Sequence, residues 1–258
     1  PGVFSGAGNR DIRVPAMPLV ITSRAGPDAT EIDCGGDEYF GFYFSGGHDT
    51  LTVLEGVTVT GAGKGAVACY DRAGPLIRRC VMTRNLFAGG WHGGGVVCEG
   101  NAHPLLRECT ISDNWGDPHG GGVFCKSAAP ELVDCLITGN SATKSGGGVT
   151  AMNSSHPVLR RCVITANTAR GDDGGGVYVI MSSATLVDCI VTENAAGKGG
   201  GGIFSGVNGI LDVSGTVIAR NLASTVGGGV HSLTGMTMRG CTVVRNRAAS
   251  YGAGIQCM

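Results

Sequence analysis

The amino-acid sequence predicts an all-β chain in which short strands wind into one parallel solenoid. Three observations predict this class. Glycine supplies 47 of the 258 residues, well above its usual share, although 42% of the chain is still hydrophobic. Two short motifs recur every 25–29 residues, and no segment with helical periodicity lies between them. Regular bends between short strands explain all three observations.

The first motif is an asparagine that closes a short apolar run, as in Cys80-Val-Met-Thr-Arg-Asn85. Cysteine stands five residues before each asparagine, with Thr216 as the one exception. The asparagines of this motif are Asn85, Asn114, Asn140, Asn167, Asn194, Asn221 and Asn246. We expect each asparagine at a tight bend, because its amide can bond to the backbone or to the next asparagine and because asparagine tolerates the left-handed conformation.

The second motif is a glycine triplet followed by a short strand, as in Gly120-Gly-Gly-Val-Phe-Cys125. Apolar or small residues alternate with variable ones after the triplet, which predicts a strand with one buried face. The triplet itself predicts a bend that needs positive φ and close backbone approach. A repeat of this size cannot bury its own apolar side, so it must stack on its neighbours at about 4.8 Å.

The motifs predict a single right-handed parallel β-helix domain over residues 1–258, with about ten coils of 25–29 residues. The right hand is taken by analogy with the commoner three-faced solenoids. Residues 61–258 repeat regularly, whereas residues 1–60 are less regular first coils, with strands predicted at residues 19–22 and 29–34. The chain begins at Pro1 and ends just after a repeat strand, so we expect a fragment of a longer protein.

The eleven cysteines fall into fixed slots of the repeat. Four of them, Cys69, Cys98, Cys125 and Cys257, lie in the slot around the glycine motif, and Cys34 lies outside both slots. The slot before the asparagine holds Cys80, Cys109, Cys135, Cys162, Cys189 and Cys241. The first interpretation is a ladder of small buried thiols that fill a narrow core. The alternative is a set of disulfides between adjacent coils, although stacked Cβ atoms lie farther apart than the ~3.8 Å that a disulfide prefers.

Net charge argues against a nucleic-acid partner, and hydropathy argues against a membrane-spanning segment. The net charge is −1, which argues against a nucleic acid held mainly by charge. No apolar run of about 20 residues occurs, so no transmembrane segment is expected. Arginines recur on the strand before the cysteine slot, as at Arg160-Arg161, and Asp134 takes the same slot in another coil. We expect these opposite charges to form cross-strand ion pairs on an exposed sheet.

The paired motifs, Gly-Gly-Gly-[Val/Ile] and [Ile/Val/Met]-x-x-Asn, resemble the GGA[I/L/V] and FxxN repeats of chlamydial polymorphic outer-membrane proteins. More broadly, they resemble the right-handed β-helix repeat proteins of bacterial surfaces. This chain has glycine or isoleucine where the chlamydial repeats have alanine or phenylalanine. The same fold resembles pectate lyases, polygalacturonases and epimerases. The resemblance to bacterial surface proteins implies a surface role, and the resemblance to the lyases, polygalacturonases and epimerases implies polysaccharide chemistry. The fold alone does not decide between these two roles.

Two adjacent loops carry the best candidate functional residues. His92 and His119 hold the same slot, immediately before the glycine triplet in adjacent coils, and with Asp117 they form the candidate catalytic cluster. The only two tryptophans, Trp91 and Trp115, lie in the same loops and are candidate ligand-binding residues, since an aromatic ring beside polar groups is typical of a sugar-binding groove. The alternative is that these residues only cover the edge of the core.

Calcium is the only candidate cofactor. Lyases of the resembling families hold Ca²⁺ with acidic residues, and the best candidate ligands here are Asp172 and Asp173, with Asp113 and Asp117 near them in the repeat. Asp117 lies two coils, or about 10 Å, from the Asp172–Asp173 pair, which is too far for one ion. The alternative is solvated loop charge, and no other cofactor is expected.

Three functions remain open. Short, regular loops favour a non-enzymatic structural or adhesive β-helix of a secreted or cell-surface bacterial protein, self-associating through its coil ends or forming fibres. The second is a polysaccharide lyase, hydrolase or epimerase acting on acidic glycans. The third is a carbohydrate-binding solenoid without turnover. The expected partners are accordingly a glycan, a host or cell-surface ligand, or another copy of the chain, and not a nucleic acid.

Overall fold

The computed structural model of the chain describes residues 1–36, 38–87, 90 and 93–258. Within these ranges the regular structure is β-strand, apart from two short 3-10 helices, Ala7–Asn9 and Pro27–Ala29. Each strand pairs in parallel with the equivalent strands of the coils before and after it. The described strands build nine turns and the start of a tenth. The predicted parallel β-helix is therefore confirmed.

Four sheets run along the solenoid, and we number them in the order in which one coil visits them. Sheet 1 holds the strands before the asparagine slot: Gly2–Phe4, Thr30–Asp33, Thr58–Thr60, Val81–Thr83, Thr110–Ser112, Leu136–Thr138, Val163–Thr165, Ile190–Thr192, Val217–Ala219 and Thr242–Val244. Sheet 2 holds the strands after that slot: Leu86–Phe87, Trp115–Gly116, Ser141–Ala142, Thr168–Ala169, Ala195–Ala196, Leu222–Ala223 and Arg247–Ala248.

The other two sheets complete the coil. Sheet 3 holds the strands after the glycine slot: Ile12–Arg13, Phe42–Ser45, Val67–Tyr70, Val96–Glu99, Val123–Lys126, Val149–Met152, Val177–Ile180, Ile203–Ser205, Val230–Ser232 and Ile255–Cys257. Sheet 4 holds the strands before the cysteine slot: Leu19–Thr22, Thr52–Glu55, Leu76–Arg78, Leu105–Arg107, Glu131–Val133, Val158–Arg160, Ser183–Val187, Ile210–Ser214 and Met236–Arg239. We number the coils from 1 to 10 by their strand in sheet 1.

Sheet 2 was not predicted. The repeat suggests about three strands per coil, and the structure adds a fourth, two-residue strand directly after the asparagine from coil 4 onward. Two residues are too few to show the period-2 alternation that marks a strand. The strands predicted in the first coils are confirmed as Leu19–Thr22 and Thr30–Asp33.

The core is a narrow column of stacked aliphatic side chains. From coil 3 to coil 9 the middle residue of each sheet 1 strand is buried, and Ile111 and Ile137 have no exposed surface. Leu106 and Leu132 of sheet 4 are equally buried and stand in direct register. Because the same slot is aliphatic in successive coils, each coil completes the burial of the next, and burial of apolar area is the main stabilising contribution.

The asparagines form a buried ladder, as predicted. The Asn140 Nδ2 donates to the Ile111 carbonyl oxygen at 2.8 Å and to the Asn167 Oδ1 at 3.0 Å, and the Asn140 backbone N–H donates to the same Oδ1 at 3.0 Å. The prediction that the asparagine itself adopts the left-handed conformation is wrong, however. The left-handed residue is the one before it, such as Ala166 with φ 55° and Glu193 with φ 58°. The asparagine is therefore selected for its amide.

The glycine triplets meet both predicted requirements. From Gly120 onward the first glycine of each triplet is left-handed, as at Gly146 with φ 67°. The third glycine faces the next coil, and a Cβ at Gly148 would lie 2.5 Å from the Gly176 carbonyl oxygen. No side chain fits at that distance, so the bend admits only glycine there.

All eleven cysteines are free thiols, so the ladder interpretation is confirmed and the disulfides of the alternative are not formed. The thiols of the ladder donate weakly to the preceding coil, as from the Cys162 Sγ to the Leu132 carbonyl oxygen at 3.4 Å. Thr216 fits the same slot because its hydroxyl donates to the Ser214 carbonyl oxygen at 2.9 Å. Burial raises the pKa of the Cys80 thiol to about 11, which keeps this thiol protonated and unreactive at neutral pH.

The predicted cross-strand ion pairs are present beside the cysteine slot. Arg161 pairs with Asp134 at 2.7 Å and Arg160 pairs with Glu131 at 3.1 Å. The side chains of the first pair are 55% and 40% exposed, so solvent screens the charges and the bridge contributes little to stability. These arginines are engaged in surface pairing, which gives them a structural role.

Candidate functional site

The outer face of sheet 3 is the unusual surface of this solenoid. One outward-facing position runs through successive strands in register, occupied by Tyr43, Ala68, Val97, Phe124, Thr150, Tyr178, Phe204 and His231. Outward residues of a solenoid are normally solvated, yet Val97, Phe124 and Thr150 have no exposed surface. A second apolar cluster, separate from the core, therefore forms on the outside of the sheet.

Aromatic rings stack along this face. The rings of Tyr178 and Phe204 lie 5.3 Å apart and nearly parallel, and His231 meets Phe204 edge-on at 5.3 Å. The His119 ring lies parallel to Tyr178 at 6.0 Å, although it comes from a loop two coils away. Thr150, the small residue of the intervening coil, leaves the space that the His119 ring enters.

A groove of about 390 Å³ opens beside the His119–Tyr178 stack. It is lined by His119, Lys126, Met152, Asn153, Tyr178, Ile180 and Met181. The methionines, Ile180 and the tyrosine ring supply an apolar surface, while His119, Lys126 and Asn153 supply polar groups. A concave, largely apolar surface with a few convergent polar groups is the usual form of a small-ligand site. We call it the sheet 3 groove.

The electrostatics keep the aromatic groups of the sheet 3 groove uncharged. Burial, reinforced by the nearby Lys144 ammonium, lowers the pKa of His119, and the carboxylates of Asp172 and Asp117 only partly oppose this. Burial, reinforced by the Asp173 charge, raises the pKa of Tyr178. Near neutral pH both rings are therefore neutral, and Lys126 is the one lining residue with a formal charge.

A half-buried acid and a buried histidine lie at the edge of the same face. The Asp173 Oδ1 accepts a hydrogen bond from the Gly199 backbone N–H at 2.8 Å. Burial raises the pKa of Asp173, against the opposing effects of that hydrogen bond and of His231. Burial also lowers the pKa of His231, while Asp173 raises it. Neither side chain lines the sheet 3 groove, so this pair supports the outer face of sheet 3 and does not contact a ligand in the groove.

The residues predicted from the sequence are only partly brought together. Trp91 and His92 lie outside the described residues. His119 does reach the sheet 3 groove. Trp115 lies instead in sheet 2, where the Arg170 guanidinium covers its ring at 4.4 Å. Asp117 accepts a hydrogen bond from the Thr143 hydroxyl and does not line the groove. The ligand-binding role of Trp115 and the catalytic role of Asp117 stay predictions.

The proposed calcium ligands have other partners. Asp172 pairs with Lys198 at 2.5 Å, and Asp173 bonds to the Gly199 N–H. In the part of the chain that the structure describes, no group of three or more His, Cys, Asp or Glu side chains is placed to hold a metal ion. The calcium site thus stays a prediction without a formed ligand set among these residues.

Sequence reasoning missed Tyr178 and the aromatic face around it. The signal was present, because the second residue after each glycine triplet falls on this outward position. Those residues include Phe124, Tyr178, Phe204 and His231, which are bulkier than a solvated position requires. A period-2 pattern assigns such a residue to the solvent side, and only the stacking of coils shows that the side is partly covered.

Among the described residues, no helix is long and apolar enough to span a membrane.

The comparisons with known proteins agree with the fold. No curated protein and no solved structure matches the chain, so the chlamydial likeness stays a resemblance of motifs. The model of the right-handed β-helix region matches residues 40–208. That segment is more than half of the chain and includes most of the regular coils; the chain belongs to the right-handed β-helix family.

Proposed function

We propose that this chain is the adhesive β-helix of a secreted or cell-surface bacterial protein, and that it binds a glycan in the sheet 3 groove without turnover. The observation that carries the proposal is the aromatic stack of His119, Tyr178 and Phe204 beside a groove of about 390 Å³. Because the rings stack on one another, the edges of His119 and Tyr178, together with the methionines and Ile180, form the apolar wall of the groove, and the polar groups at its rim fix the orientation of a sugar.

The polar groups of the sheet 3 groove suit hydroxyl recognition. Neutral His119 offers a ring nitrogen as a donor or an acceptor, Asn153 offers both amide groups, and Lys126 offers three N–H donors. The apolar surface of Met152 and Ile180 excludes water behind the ligand. This combination favours a sugar over a compact anion, because a single cationic side chain would leave most of an anion's charge unpaired.

Binding is favoured over cleavage by the composition of the lining. Glycoside hydrolysis uses a pair of carboxyl groups that flank the scissile bond, and the described lining of the sheet 3 groove includes neither aspartate nor glutamate. A lyase, hydrolase or epimerase remains the alternative function. It is tested by incubation with uronic-acid polymers, in which a rise in absorbance from unsaturated product would favour a lyase.

The proposal is tested by glycan-array binding followed by calorimetry on the glycans that bind. We expect Tyr178→Ala to weaken binding at least tenfold, because it removes a side chain that lines the groove and the ring that holds His119 in place. Tyr251→Ala is the matched control, since Tyr251 is 72% exposed in coil 10, far along the solenoid from the groove. Circular dichroism verifies that both variants fold. Equal affinities for the two variants would contradict the proposed site.

The cellular location and self-association through coil ends belong to the same proposal. Adhesion requires an exposed chain, so antibody labelling of intact cells that produce the whole protein is expected to detect the solenoid. Sedimentation of the purified chain over a range of concentrations tests self-association, and a constant monomer mass would contradict it.

A further inference from the structure

A second concave surface follows the corner between sheets 3 and 4. Three concavities lie in succession there and share lining residues. The first is lined by Asp71, Arg72, Gly100 and Asn101, and the second by Asn101, Ser127, Ala128, Ala129, Ser154 and His156. The third is lined by Ser154, His156, Met181, Ser182, Asn208 and Ile210. Because each shares residues with the next, they form one channel, which we call the corner furrow.

The corner furrow is continuous with the sheet 3 groove. Met181 lines both the third concavity and that groove. The three concavities measure about 400, 100 and 420 Å³, so the central concavity is the smallest. It reaches from coil 3, at Asp71, to coil 8, at Asn208. Five steps between coils correspond to about 24 Å along the axis.

Backbone geometry fixes the spacing of the furrow. Each coil turns the corner through a left-handed residue, such as Asn101 with φ 64° or Ser154 with φ 63°. The Asn101 N–H donates to the Ser127 carbonyl oxygen at 2.6 Å, and the Ser154 N–H donates to the Met181 carbonyl oxygen at 2.7 Å. These bonds run from coil to coil, so the wall residues repeat at the inter-strand distance of about 4.8 Å.

The furrow is uncharged over most of its length, and its lining mixes polar and apolar groups. From Asn101 to Ile210 the described lining contains hydroxyls, amides, the exposed His156 imidazole and the apolar side chains of Ala128, Ala129, Met181 and Ile210, but no Asp, Glu, Lys or Arg. The buried Ser182 and Ala128 lie at the base of the corner. Serine and asparagine side chains both donate and accept hydrogen bonds, which matches the hydroxyl groups of a sugar. A polyanion such as a nucleic acid would find no cation there.

We infer that the corner furrow binds a linear, uncharged glycan that runs parallel to the solenoid axis, with about one sugar residue per coil. The inference rests on the proposed function, because it assigns the same class of ligand to the furrow, which lies beside the sheet 3 groove and meets it at Met181. A straight polymer with a repeat close to the coil spacing meets equivalent polar groups at each step. Affinity therefore accumulates along the solenoid rather than at one pocket.

The experiment is a calorimetric titration with β-1,4-linked gluco- and manno-oligosaccharides of two to eight residues, and with oligogalacturonides of the same lengths as acidic counterparts. We expect the affinity for a neutral oligosaccharide to rise with length up to about six residues, the number of coils that the furrow crosses. Longer oligosaccharides are expected to bind no more tightly. The acidic series is expected to bind at least tenfold more weakly at equal length.

The diagnostic variant is His156→Ala, with His103→Ala as its control. Both histidines hold the same slot, two residues after Asn101 or Ser154 and immediately before a proline. His103 is packed against Gly74 and does not line the furrow. We expect His156→Ala to weaken binding of a hexasaccharide about tenfold and to leave disaccharide binding unchanged, whereas His103→Ala changes neither.

The outcomes separate this inference from the proposed function. If disaccharides bind in a Tyr178-dependent manner and hexasaccharides bind no more tightly, the furrow is not a binding site and the proposed function stands. If oligogalacturonides bind more tightly than the neutral series, the prediction that the ligand is uncharged is wrong. If no oligosaccharide binds, or if Tyr178→Ala has no effect, the proposed function and the furrow both fail.

Discussion

Individual asparagines show how buried polar groups stabilise this fold. The Asn167 Oδ1 accepts two hydrogen bonds from Asn140, one from its backbone N–H and one from its amide. The Asn167 Nδ2 donates to the Ile137 carbonyl oxygen at 2.9 Å and to the Asn194 Oδ1 at 3.0 Å. Asn167 has no exposed surface, and a buried amide with every group satisfied adds both stability and register.

Replacement of Asn167 by alanine should therefore be strongly destabilising. It leaves the Asn140 backbone N–H without its partner and removes the amide's hydrogen bonds to the Ile137 carbonyl and to Asn194, so we expect a loss of about 3 kcal/mol in the free energy of unfolding. Urea denaturation measures the change. Asn246→Ala is the comparison, because Asn246 is only half-buried and should cost less. Equal losses at the two sites would show that burial of the amide is not the cause.

At the scale of the element, each strand of sheet 3 fills the core with one side and builds the outer face of the sheet with the other. Val149 and Val177 fill the core from its inner side, while Thr150 and Tyr178 build the outer face. The glycines before these strands let neighbouring coils approach closely, so both faces keep the same spacing. The position and shape of the sheet 3 groove therefore depend on glycines that never touch it.

The third glycine of a triplet gives a direct test of this close approach. In Gly148→Ala the added Cβ would lie 2.5 Å from the Gly176 carbonyl oxygen, and the backbone must move. We expect a loss of about 3 kcal/mol, within the range for overpacked sites. Gly235→Ala is the control, since no atom lies within 4 Å of its added Cβ. Thermal and urea unfolding compare the two, and similar stabilities would refute the steric account.

Elements with a repeated motif could be predicted from the sequence, and the candidate site could not be predicted as a whole. The asparagine and glycine motifs mark the bends of every regular coil, so the solenoid and both ladders followed from them. Sheet 2 was missed because strands such as Ser141–Ala142 are too short to carry a period. The partnership of His119 with Tyr178 joins residues two coils apart, and contacts of this kind arise only when the coils stack.

For the whole molecule, buried histidines couple stability to pH. Burial lowers the pKa of His48, His119 and His231 below their ordinary value of 6.5. Their contribution to stability is complete above pH 6.5 and is lost as the pH falls through the folded-state pKa values, because the unfolded chain binds protons first. Asp173 acts oppositely: its pKa is raised above 3.8, so its contribution is complete below pH 3.8 and is lost as the pH rises through the raised value.

We expect the urea midpoint to fall between pH 7 and pH 5, where three histidine contributions outweigh the single carboxyl. His48→Gln and His231→Gln should each reduce this dependence, since glutamine cannot take up the proton. Asp173→Asn should be better tolerated at pH 7 than at pH 4, because it removes a half-buried charge only at the higher pH. A midpoint that does not change between pH 7 and pH 5 would exclude the histidine mechanism.

The register of like residues across neighbouring coils limits how such a chain can change in length. One residue inserted within a strand would shift its whole row of side chains to the opposite face. Removal of residues 141–167, by contrast, would join Asn140 to Thr168 in the same relation that Asn140 has to Ser141 now. The length of this solenoid is therefore quantised: one coil, about 27 residues and one step of the furrow is the smallest unit that can be gained or lost while every remaining contact keeps its partner.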